Sequence, residues 1–420
     1  MAATLFKNVS IVDGTGAKPF NGCVLVEGNL ITAVVPQALT FAVPGATVVD
    51  GAGRTLMPGL IEAHSHLTFT DVGQSVELGF IPPEEHMLKT ATNARRMLDA
   101  GFTSCFSAAA AKPRLDIVLR NAINSGDLPG PRTLAASPEM TVAAGLGDVR
   151  LLHMYRENFA VVCNGPEEFR RFSREMVREG VDTLKINVSG DAGTTASPAD
   201  KTVMNDAEVA AVCDVAQAHG KRVAAHARSA ASVSMCLRHG VEVIYHATLL
   251  DDVARGQLEA QREHVFVAPV LGNLYTTLYE AAPWGISRES AEQRGIAYEL
   301  EQGIRNMKLL HAEGVRVLIG GDYGFAWNPI GTDARDLSHF VDMLDFSPMD
   351  AIVAATRLGG QIMGMGDRLG QISPGYLADL LLVNGDPTKN VAILQQQECI
   401  DAIMLDGAFW KHAYRDHIPA

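Results

Sequence analysis

Hydrophobic and polar residues follow two different patterns along this chain. Short β-branched stretches occur near both ends, at residues 5–12, 22–27, 30–35, 377–383 and 400–405. Turn signals such as Asp13-Gly14 and Asp406-Gly407 separate them. The pattern therefore predicts β-strands at both ends of the chain.

Between the two ends, amphipathic helical patterns alternate with short apolar stretches. In the clearest unit, Phe169, Phe172 and Met176 share one helical face, Gly180 marks the helix end, and an apolar strand follows over 181–188. The succession of helix, glycine and strand recurs at 206–226, 230–246 and 299–320. Repeated units of this kind build a parallel sheet wrapped by helices. We therefore expect an α/β fold, specifically a (β/α)8 TIM-like barrel.

Composition and charge narrow the class of protein. The chain has 420 residues with 48 acidic and 35 basic side chains, so its formal charge is −13. An acidic chain of this kind is a poor match for nucleic acid, whose phosphates require positive partners. No apolar run reaches the roughly 18–20 residues that a membrane-spanning helix needs. Small molecules are the expected partners, with neither nucleic acid nor membrane involved.

The cysteines and the N-terminus say little about the compartment. Six cysteines are scattered without a short Cys-x-x-Cys pair, which excludes a disulfide framework and a cysteine-based zinc site. The first residues lack the pattern of a signal peptide. A soluble, cytoplasmic protein is the default expectation, and a secreted or periplasmic form with a trimmed signal peptide stays open.

Six ionisable residues lie in or at the ends of five predicted strands, namely His64, His66, Lys185, His226, His246 and Asp322. In a strand, positions i and i+2 point to the same face, so the two imidazoles of His-x-His stand side by side. In a barrel, the carboxyl ends of the strands meet at one mouth, where active sites are built. The pattern therefore indicates one shared site.

Each of these residues also has a structural interpretation. A strand-end histidine can be a hydrogen-bonded core residue, and an aspartate after a glycine pair can cap a helix or form a turn. Lys185 lies in an apolar strand, where its ammonium would lose solvation, unless it extends outward to the helix side. Ionisable residues in or at the ends of five strands are less plausible as five separate coincidences than as parts of one site. The prediction of a shared site therefore rests on the combination of these residues.

The chemistry of this residue set favours divalent metal ions. Neutral imidazoles and a carboxylate suit zinc. A deprotonated Lys185 could add CO₂ and form a carbamate that bridges two ions about 3.5–4 Å apart, the spacing of two-metal hydrolytic sites. Asp322 would then move protons as general base and general acid. We expect two Zn²⁺ ions, or another divalent metal, and a carbamate on Lys185.

These motifs resemble those of the amidohydrolase superfamily of metal-dependent barrel hydrolases. The resemblance rests on Pro58–His66, Leu184–Ile186, His226-Ala227, His246–Asp252, Gly321-Asp322 and the C-terminal run Asp367–Leu380. Within the superfamily, the chain is similar to the imidazolonepropionase-related branch. That branch includes Xaa-Pro dipeptidases, carboxypeptidase-like enzymes and amidohydrolases that cleave ochratoxin A.

The resemblance implies a domain organisation and a ligand assignment. It implies that residues 1–57 and 371–420 form a small discontinuous β-sandwich domain and that 58–370 form the barrel. It assigns His64, His66 and Asp322 to one metal ion, His226 and His246 to a second, and carbamylated Lys185 to the bridge. Relatives often form large homo-oligomers, so a homo-oligomer such as an octamer is expected.

The sequence departs from that branch around the expected substrate pocket. Leucine stands at position 146, where many relatives have histidine, and Arg228 replaces a common tyrosine. Arg228 either binds the free carboxylate of the substrate or is a surface or ion-paired arginine. His153 and His264 are further candidates at the mouth, each with a structural or exposed position as the alternative. Tyr275, Tyr279 and Trp284 either line a βα loop or lie on an amphipathic helix.

Together these features predict a binuclear metal-dependent amide hydrolase. Its expected substrates are N-acyl amino acids or dipeptides with a free C-terminal carboxylate, with ochratoxin A (cleaved to ochratoxin alpha and phenylalanine) as a candidate. A ring-opening cyclic amidohydrolase is the main alternative. A deaminase is disfavoured because such relatives do not need Lys185. A catalytically dead scaffold would have lost ligands, and all six are present.

Overall fold

The molecule mixes helices and strands along most of its length. The structure is a computed structural model, and it describes residues 3–36, 41–192 and 196–412. Within these ranges, strands predominate at both ends and alternate with helices between them. The mixed α/β class predicted from the hydrophobic pattern is confirmed.

The bounds of the elements are as follows, for the described residues. The strands are β1 (Ala3–Ile11), β2 (Phe20–Glu27), β3 (Leu30–Pro36), β4 (Thr47–Asp50), β5 (Thr55–Pro58), β6 (Leu60–Ser65), β7 (Phe102–Ser107), β8 (Arg132–Leu134), β9 (Ala136–Thr141), β10 (Val161–Val162), β11 (Thr183–Asn187), β12 (Arg222–Ser229), β13 (Val243–Leu249), β14 (Phe266–Ala268), β15 (Arg316–Val317), β16 (Leu380–Val383), β17 (Ile400–Leu405) and β18 (Ala408–His412). The α-helices are α1 (Glu77–Phe80), α2 (Pro83–Asp99), α3 (Leu115–Ser125), α4 (Pro166–Glu179), α5 (Asp206–Ala218), α6 (Ala230–Arg238), α7 (Asp252–Ala260), α8 (Leu271–Tyr279), α9 (Arg288–Gln293), α10 (Ile296–Ala312), α11 (Arg335–Leu344), α12 (Pro348–Ala355) and α13 (Arg357–Ile362). Short 3-10 helices cover Ala282–Trp284, Val391–Gln395 and Gln397–Cys399.

Strands from the two chain ends pair in one eight-stranded sheet. Its order is β18-β17-β16-β5-β1-β2-β3, and β4 pairs with β1 beside this path. The C-terminal β16 runs antiparallel to β5, with Leu381 opposite Met57. Phe6, Leu56 and Leu382 belong to the buried cluster of this sheet. The β-branched stretches at the two ends therefore share one hydrophobic core, because each alone could not bury its apolar face.

The predicted functional residues lie mostly on a second, seven-stranded sheet. Its order is β10-β9-β11-β12-β13-β14-β15, and all its pairs are parallel. The register places Lys185 opposite Glu139 and Asn187 opposite His226. In the next pair, His246 lies opposite Ala227. Because parallel strands end at the same edge, these side chains are brought together there.

The helices between the parallel strands form where the periodicity predicts them. α4 buries Phe169, Phe172 and Met176, and it ends at Gly180 with a φ of +101°. The Gly180 N–H donates to Met176 O and Val177 O, which satisfies carbonyls that the helix end leaves open. Any residue other than glycine would be strained in this left-handed backbone conformation. The predicted position of this helix end is confirmed.

Two strands, β15 and β12, differ in length from the prediction. β15 has only two residues, whereas the apolar pattern predicts a strand over 315–320. The chain after β15 instead turns toward β6, where Asp322 N–H donates to His64 O at 2.9 Å. Gly320 permits this approach, because a Cβ there would lie 2.7 Å from His64 Cβ. β12 in turn continues beyond the predicted end at 226, to Ser229.

The chain divides into two compact units. One comprises Met1–Glu62, Arg95–Cys105 and Gly331–Ala420, and the other comprises Ala63–Ala94 and Phe106–Ile330. The domain bounds predicted from the sequence, 1–57 with 371–420 and 58–370, stay a prediction. All six predicted metal ligands belong to the second unit.

The continuous ladders of the described residues do not form one closed barrel. They give the seven-stranded sheet and a three-stranded sheet of order β6-β7-β8. No helix in the described part of the chain is long and apolar enough to cross a bilayer.

Candidate metal centre and substrate cavity

The six residues predicted as metal ligands border one cavity of about 560 Å³. β6 carries His64 and is followed at once by His66, while β11, β12 and β13 carry Lys185, His226 and His246. Asp322 lies in the segment that follows β15. The parallel strands therefore bring together side chains that are widely separated in sequence.

His64, His66 and Asp322, which we name the first-ion cluster, are already assembled. Their ligand atoms lie within 4.8 Å of one another. Asp322 Oδ1 is 2.9 Å from His66 Nε2 and 3.5 Å from His64 Nε2. On its other side, His66 Nδ1 lies 3.2 Å from the carbonyl of Ala109. A carbonyl only accepts, so Nδ1 donates this bond and Nε2 is the nitrogen available to a metal ion.

Burial sets the charge states of this cluster. Burial lowers the pKa of His64 to about 4, although nearby Asp322 opposes the shift. For Asp322, burial alone would raise the pKa, but His64 and His66 hold it well below its ordinary value. A neutral imidazole and an ionised carboxylate are the forms that bind a divalent metal. The donor set therefore fits one zinc-like ion.

The backbone at the site adopts a conformation that is unusual for these residues. His246, Ala247 and Asp322 have φ values of 74°, 50° and 59°. Residues other than glycine rarely adopt this left-handed backbone conformation, and each residue that does so loses on the order of 1–3 kcal/mol of stability. Such strain concentrates at functional sites, where the fold holds a side chain in one required direction.

His226, His246 and Lys185, the residues predicted for the second ion, are named the second-ion cluster, and His226 and Lys185 have polar partners within the protein. His226 Nε2 is 2.9 Å from the carbonyl of Gly190, so this nitrogen donates and only Nδ1 can bind a metal. Lys185 Nζ is 3.3 Å from Glu139 Oε1. His226 and His246 are neutral, because burial and then nearby Arg228 lower both pKa values. His246 Nδ1 is buried without a hydrogen-bond partner.

Sequence reasoning missed Glu139, which borders the cavity with a side chain only 6% exposed. Its Oε2 accepts a hydrogen bond of 3.1 Å from Asn187 Nδ2. The signal was present, because Glu139 is a charged residue inside a short strand just as Lys185 is. The prolines and serines around it, such as Pro138, obscure the strand pattern.

Arg228 is ion-paired within the protein, which is one of the two alternatives predicted for it from the sequence. It also borders the cavity. Its Nη2 is 2.7 Å from Asp191 Oδ2, and its Nη1 bonds Glu299 Oε1. Thr248 Oγ1 donates to the same Glu299 oxygen at 2.6 Å. Burial would lower the pKa of Arg228, but the Asp191 and Glu299 carboxylates raise it, so the guanidinium stays charged. Its Nε is buried without a partner.

Aromatic and apolar side chains form part of the remaining cavity wall. Phe69 stacks on His66 with ring centroids 3.9 Å apart, and Phe325 stacks on Trp327 at 5.3 Å. Trp284 and Leu146 also line the cavity. The aromatic side is therefore adjacent to the first-ion cluster.

Four other residues considered from the sequence lie away from the cavity lining. Tyr275 and Tyr279 lie on α8, the helical alternative, and their rings contact each other at 4.9 Å. His153 and His264 are both exposed. None of these four is among the described residues that border the cavity.

A family comparison now identifies the class of protein. The chain matches the amidohydrolase family over residues 55–409, which is most of its length, and it belongs to this family. Members are hydrolases of small molecules and are generally metal-dependent. This chain is therefore a hydrolase of the class that acts on amide bonds.

Particular relatives place it in the branch expected from its motifs. It is 22% identical to ochratoxinase from Aspergillus niger over 423 residues, covering 96% of this chain and 85% of that protein. It is 24% identical to imidazolonepropionase from Deinococcus radiodurans over 411 residues, covering 92% of each. The solved structure of a Xaa-Pro dipeptidase with bound methionine in the active site shares the fold, with a TM-score of 0.87, 24% identity and coverage of 98% and 100%.

Proposed function

We propose that this protein is a metal-dependent amide hydrolase acting on N-acyl amino acids or dipeptides with a free C-terminal carboxylate. The convergence of the three ligand side chains of the first-ion cluster within 4.8 Å carries the proposal. Metal-dependent hydrolysis needs neutral imidazoles and an ionised carboxylate at the wall of a substrate-sized cavity. The first-ion cluster meets both conditions.

The proposed centre holds two divalent ions, with zinc as the first choice. His64, His66 and Asp322 would bind one, and His226 and His246 would bind the other. The sequence assigns the bridging anion to a carbamate on Lys185. When bound, such ions polarise a carbonyl and make a water molecule more acidic.

In the proposed mechanism, Asp322 is the catalytic residue that moves protons. Its carboxylate stays ionised because the neighbouring imidazoles hold its pKa well below the usual range. It can therefore accept the proton of the attacking water as general base. The carboxylic acid so formed then donates that proton to the leaving amine, which completes amide cleavage without a second acid.

The cavity suits a substrate with an apolar acyl part and an anionic end. Phe69, Phe325 and Leu146 provide apolar surface for the acyl group. Arg228 is a candidate for the carboxylate, since guanidinium groups bind carboxylates through two parallel hydrogen bonds. Ochratoxin A, cleaved to ochratoxin alpha and phenylalanine, combines both features. The similarity to ochratoxinase supports its inclusion as a test substrate.

The ring-opening alternative keeps some support. The similarity to imidazolonepropionase favours it, because that comparison covers 92% of each chain. The presence of all six predicted ligands at one cavity argues against a catalytically dead scaffold.

We also propose a closed (β/α)8 barrel for the central part of the chain. Single bridges between Ser65 and Tyr323 and between Ala110 and Pro138 support closure beyond the continuous ladders. The small β-sandwich domain of residues 1–57 and 371–420, the homo-oligomer and the default cytoplasmic location stay predictions of the sequence.

A hydrolysis screen tests the proposed function. Zinc-loaded protein is incubated with N-acyl amino acids, dipeptides, ochratoxin A and cyclic amides. The released amine is quantified for the first three classes and the ring-opened product for the cyclic amides. We expect cleavage of the first three classes with a preference for bulky aromatic acyl groups. Turnover of cyclic amides alone would favour the ring-opening alternative, and no turnover with bound metal would refute the proposal.

A further inference from the structure

Asp322 carries its carboxylate on a backbone conformation that residues other than glycine rarely adopt. Its φ of 59° lies in the left-handed region, and such a conformation persists only where the surrounding structure fixes it from several sides. The two peptide groups that flank Asp322 set its φ and ψ, because each peptide group is planar. The contacts of these two peptide groups therefore determine the direction of the carboxylate.

The peptide group before Asp322 is bound at both of its polar atoms. The Asp322 N–H donates to His64 O at 2.9 Å. The Gly321 carbonyl, on the opposite side of the same peptide plane, accepts a hydrogen bond of 2.7 Å from Asn328 Nδ2. This peptide plane is thus held between strand β6 and the Asn328 side chain, which restricts φ of Asp322.

The same side chain also binds the peptide group after Asp322. Asn328 Nδ2 lies 3.3 Å from the Asp322 carbonyl oxygen. Asn273 Nδ2, on α8, adds a longer contact of 3.4 Å to that oxygen. Because the amide nitrogen carries two hydrogens, it can donate to two carbonyls at once. The Asn328 side chain therefore restricts both φ and ψ of Asp322.

Asn328 is itself held in place by its own backbone. The residue is 1% exposed, its N–H donates to Phe325 O at 2.9 Å, and its carbonyl accepts from Gly324 N–H at 3.1 Å. Its Oδ1 is buried without a hydrogen-bond partner among the described residues. A buried polar atom without a partner lowers stability. Stability alone therefore does not account for an asparagine at this position.

We propose that Asn328 is a positioning residue, which directs the Asp322 carboxylate toward the His64 and His66 imidazoles through the two peptide groups around Asp322. This inference rests on the proposed function, in which that carboxylate binds an ion and moves protons. Without the amide of Asn328, the strained backbone of Asp322 can relax and its carboxylate shifts. A misplacement of about 1 Å at a reacting group can lower the rate about 100-fold.

Steady-state kinetics of Asn328→Leu tests the proposal. Leucine is close to asparagine in shape but has no hydrogen-bond donor, so it leaves both carbonyls unbound. At saturating zinc, with the best substrate from the screen, we expect kcat per folded chain to fall about 10–100-fold while KM stays within about threefold. A kcat within about twofold of the wild-type value, whatever the KM, overturns the proposal.

Cobalt(II) substitution gives a measurement that does not depend on turnover. The visible absorption of bound cobalt(II) reports the geometry of its ligands. We expect the bands of cobalt-loaded Asn328→Leu to differ from those of the wild type, because Asp322 is a proposed ligand. An unchanged spectrum overturns the proposal. If circular dichroism shows that Asn328→Leu does not fold, Asn328→Ala removes the same donors with a smaller side chain and has the same expected results.

Thr356→Ala is the matched control for lost stability. The buried Thr356 hydroxyl also donates to a backbone carbonyl, that of Ile352, at 2.6 Å, and Thr356 lies outside the described lining of the cavity. Urea denaturation should show lower stability for both variants, whereas only Asn328→Leu should lose kcat and change the cobalt spectrum. An equal loss of kcat in both variants overturns the positioning role.

The wild-type protein separates this inference from the proposed function. If the wild type binds no metal and cleaves no amide, the proposed function itself fails. An active wild type whose kcat and cobalt spectrum are kept in Asn328→Leu refutes only the role of Asn328.

Discussion

The first-ion cluster and the second-ion cluster face the same cavity, but they differ in how far their side chains are already arranged to bind an ion. In the first, the ligand atoms of Asp322 and of two imidazoles already lie within 4.8 Å of one another. In the second, the Lys185 ammonium is paired with the Glu139 carboxylate. A preorganised donor set loses little entropy when an ion binds, whereas an engaged one must first exchange partners. We therefore expect the first ion to bind more tightly than the second.

The largest effect is expected at the first-ion cluster. Asp322→Asn removes both a metal ligand and the proposed proton carrier, so we expect kcat/KM to fall by about 10³-fold or more. Steady-state hydrolysis of the best substrate from the screen measures this. Asp214→Asn, an exposed position on α5, is the matched control and should retain full activity. An Asp322→Asn enzyme within 10-fold of wild type would remove Asp322 from the mechanism.

The second-ion cluster should respond separately. His246→Asn removes one proposed ligand of the second ion, so we expect its affinity to weaken by about 100-fold or more while the first ion stays bound. Isothermal titration of the metal-free protein with zinc resolves the two events. Loss of both ions together would show that the two clusters do not bind independently.

Arg228, beside the second-ion cluster, should affect substrate choice. Arg228→Met removes the charged partner of a substrate carboxylate, so we expect KM for free-carboxylate substrates to rise about 10–100-fold. The methyl ester of the same substrate is the control, because it cannot form this ion pair. If both KM values change alike, Arg228 is only the structural partner of Asp191 and Glu299.

The smallest effect is a pH dependence of stability in the metal-free protein. The pKa of His64 is lowered to about 4 in the folded chain, from an ordinary value of 6.5. Between these values the unfolded chain binds the proton and the folded chain does not, so the free energy of unfolding falls as pH decreases. From pH 6.5 to pH 5, His64 alone contributes a loss of about 2 kcal/mol.

Urea denaturation of the wild type and of His64→Asn measures this contribution. The other buried histidines act in the same direction, whereas the raised pKa of Asp116 acts in the opposite one. The difference in slope between wild type and variant isolates His64. Equal slopes would show that His64 does not stay neutral in the folded chain.

Much of this architecture could be predicted from local sequence patterns. Phe169, Phe172 and Gly180 define α4 because helix periodicity and a left-handed helix end are both local properties. His64 and His66 could be predicted as neighbours because strand geometry alone places i and i+2 on one face. The metal-ligand assignments stay a prediction, although the structure brings those side chains to one cavity.

What could not be predicted depends on contacts between distant segments. The segment that brings Asp322 to His64 passes close to β6 at Gly320, which no local pattern indicates. Arg228 pairs with Asp191 and Glu299, which come from a loop and from α10. The pairing of Glu139 with Lys185 depends on the β9–β11 register, which places the two residues opposite each other. Partner choice inside a site is thus a tertiary property.

Removal and restoration of metal test the central claim most directly. Zinc-loaded protein that cleaves an N-acyl amino acid is dialysed against a chelator and then titrated with zinc, and hydrolysis is followed at each step. We expect activity to disappear on chelation and to return as zinc is added. Hydrolysis that continues at the original rate in metal-free protein would contradict the account.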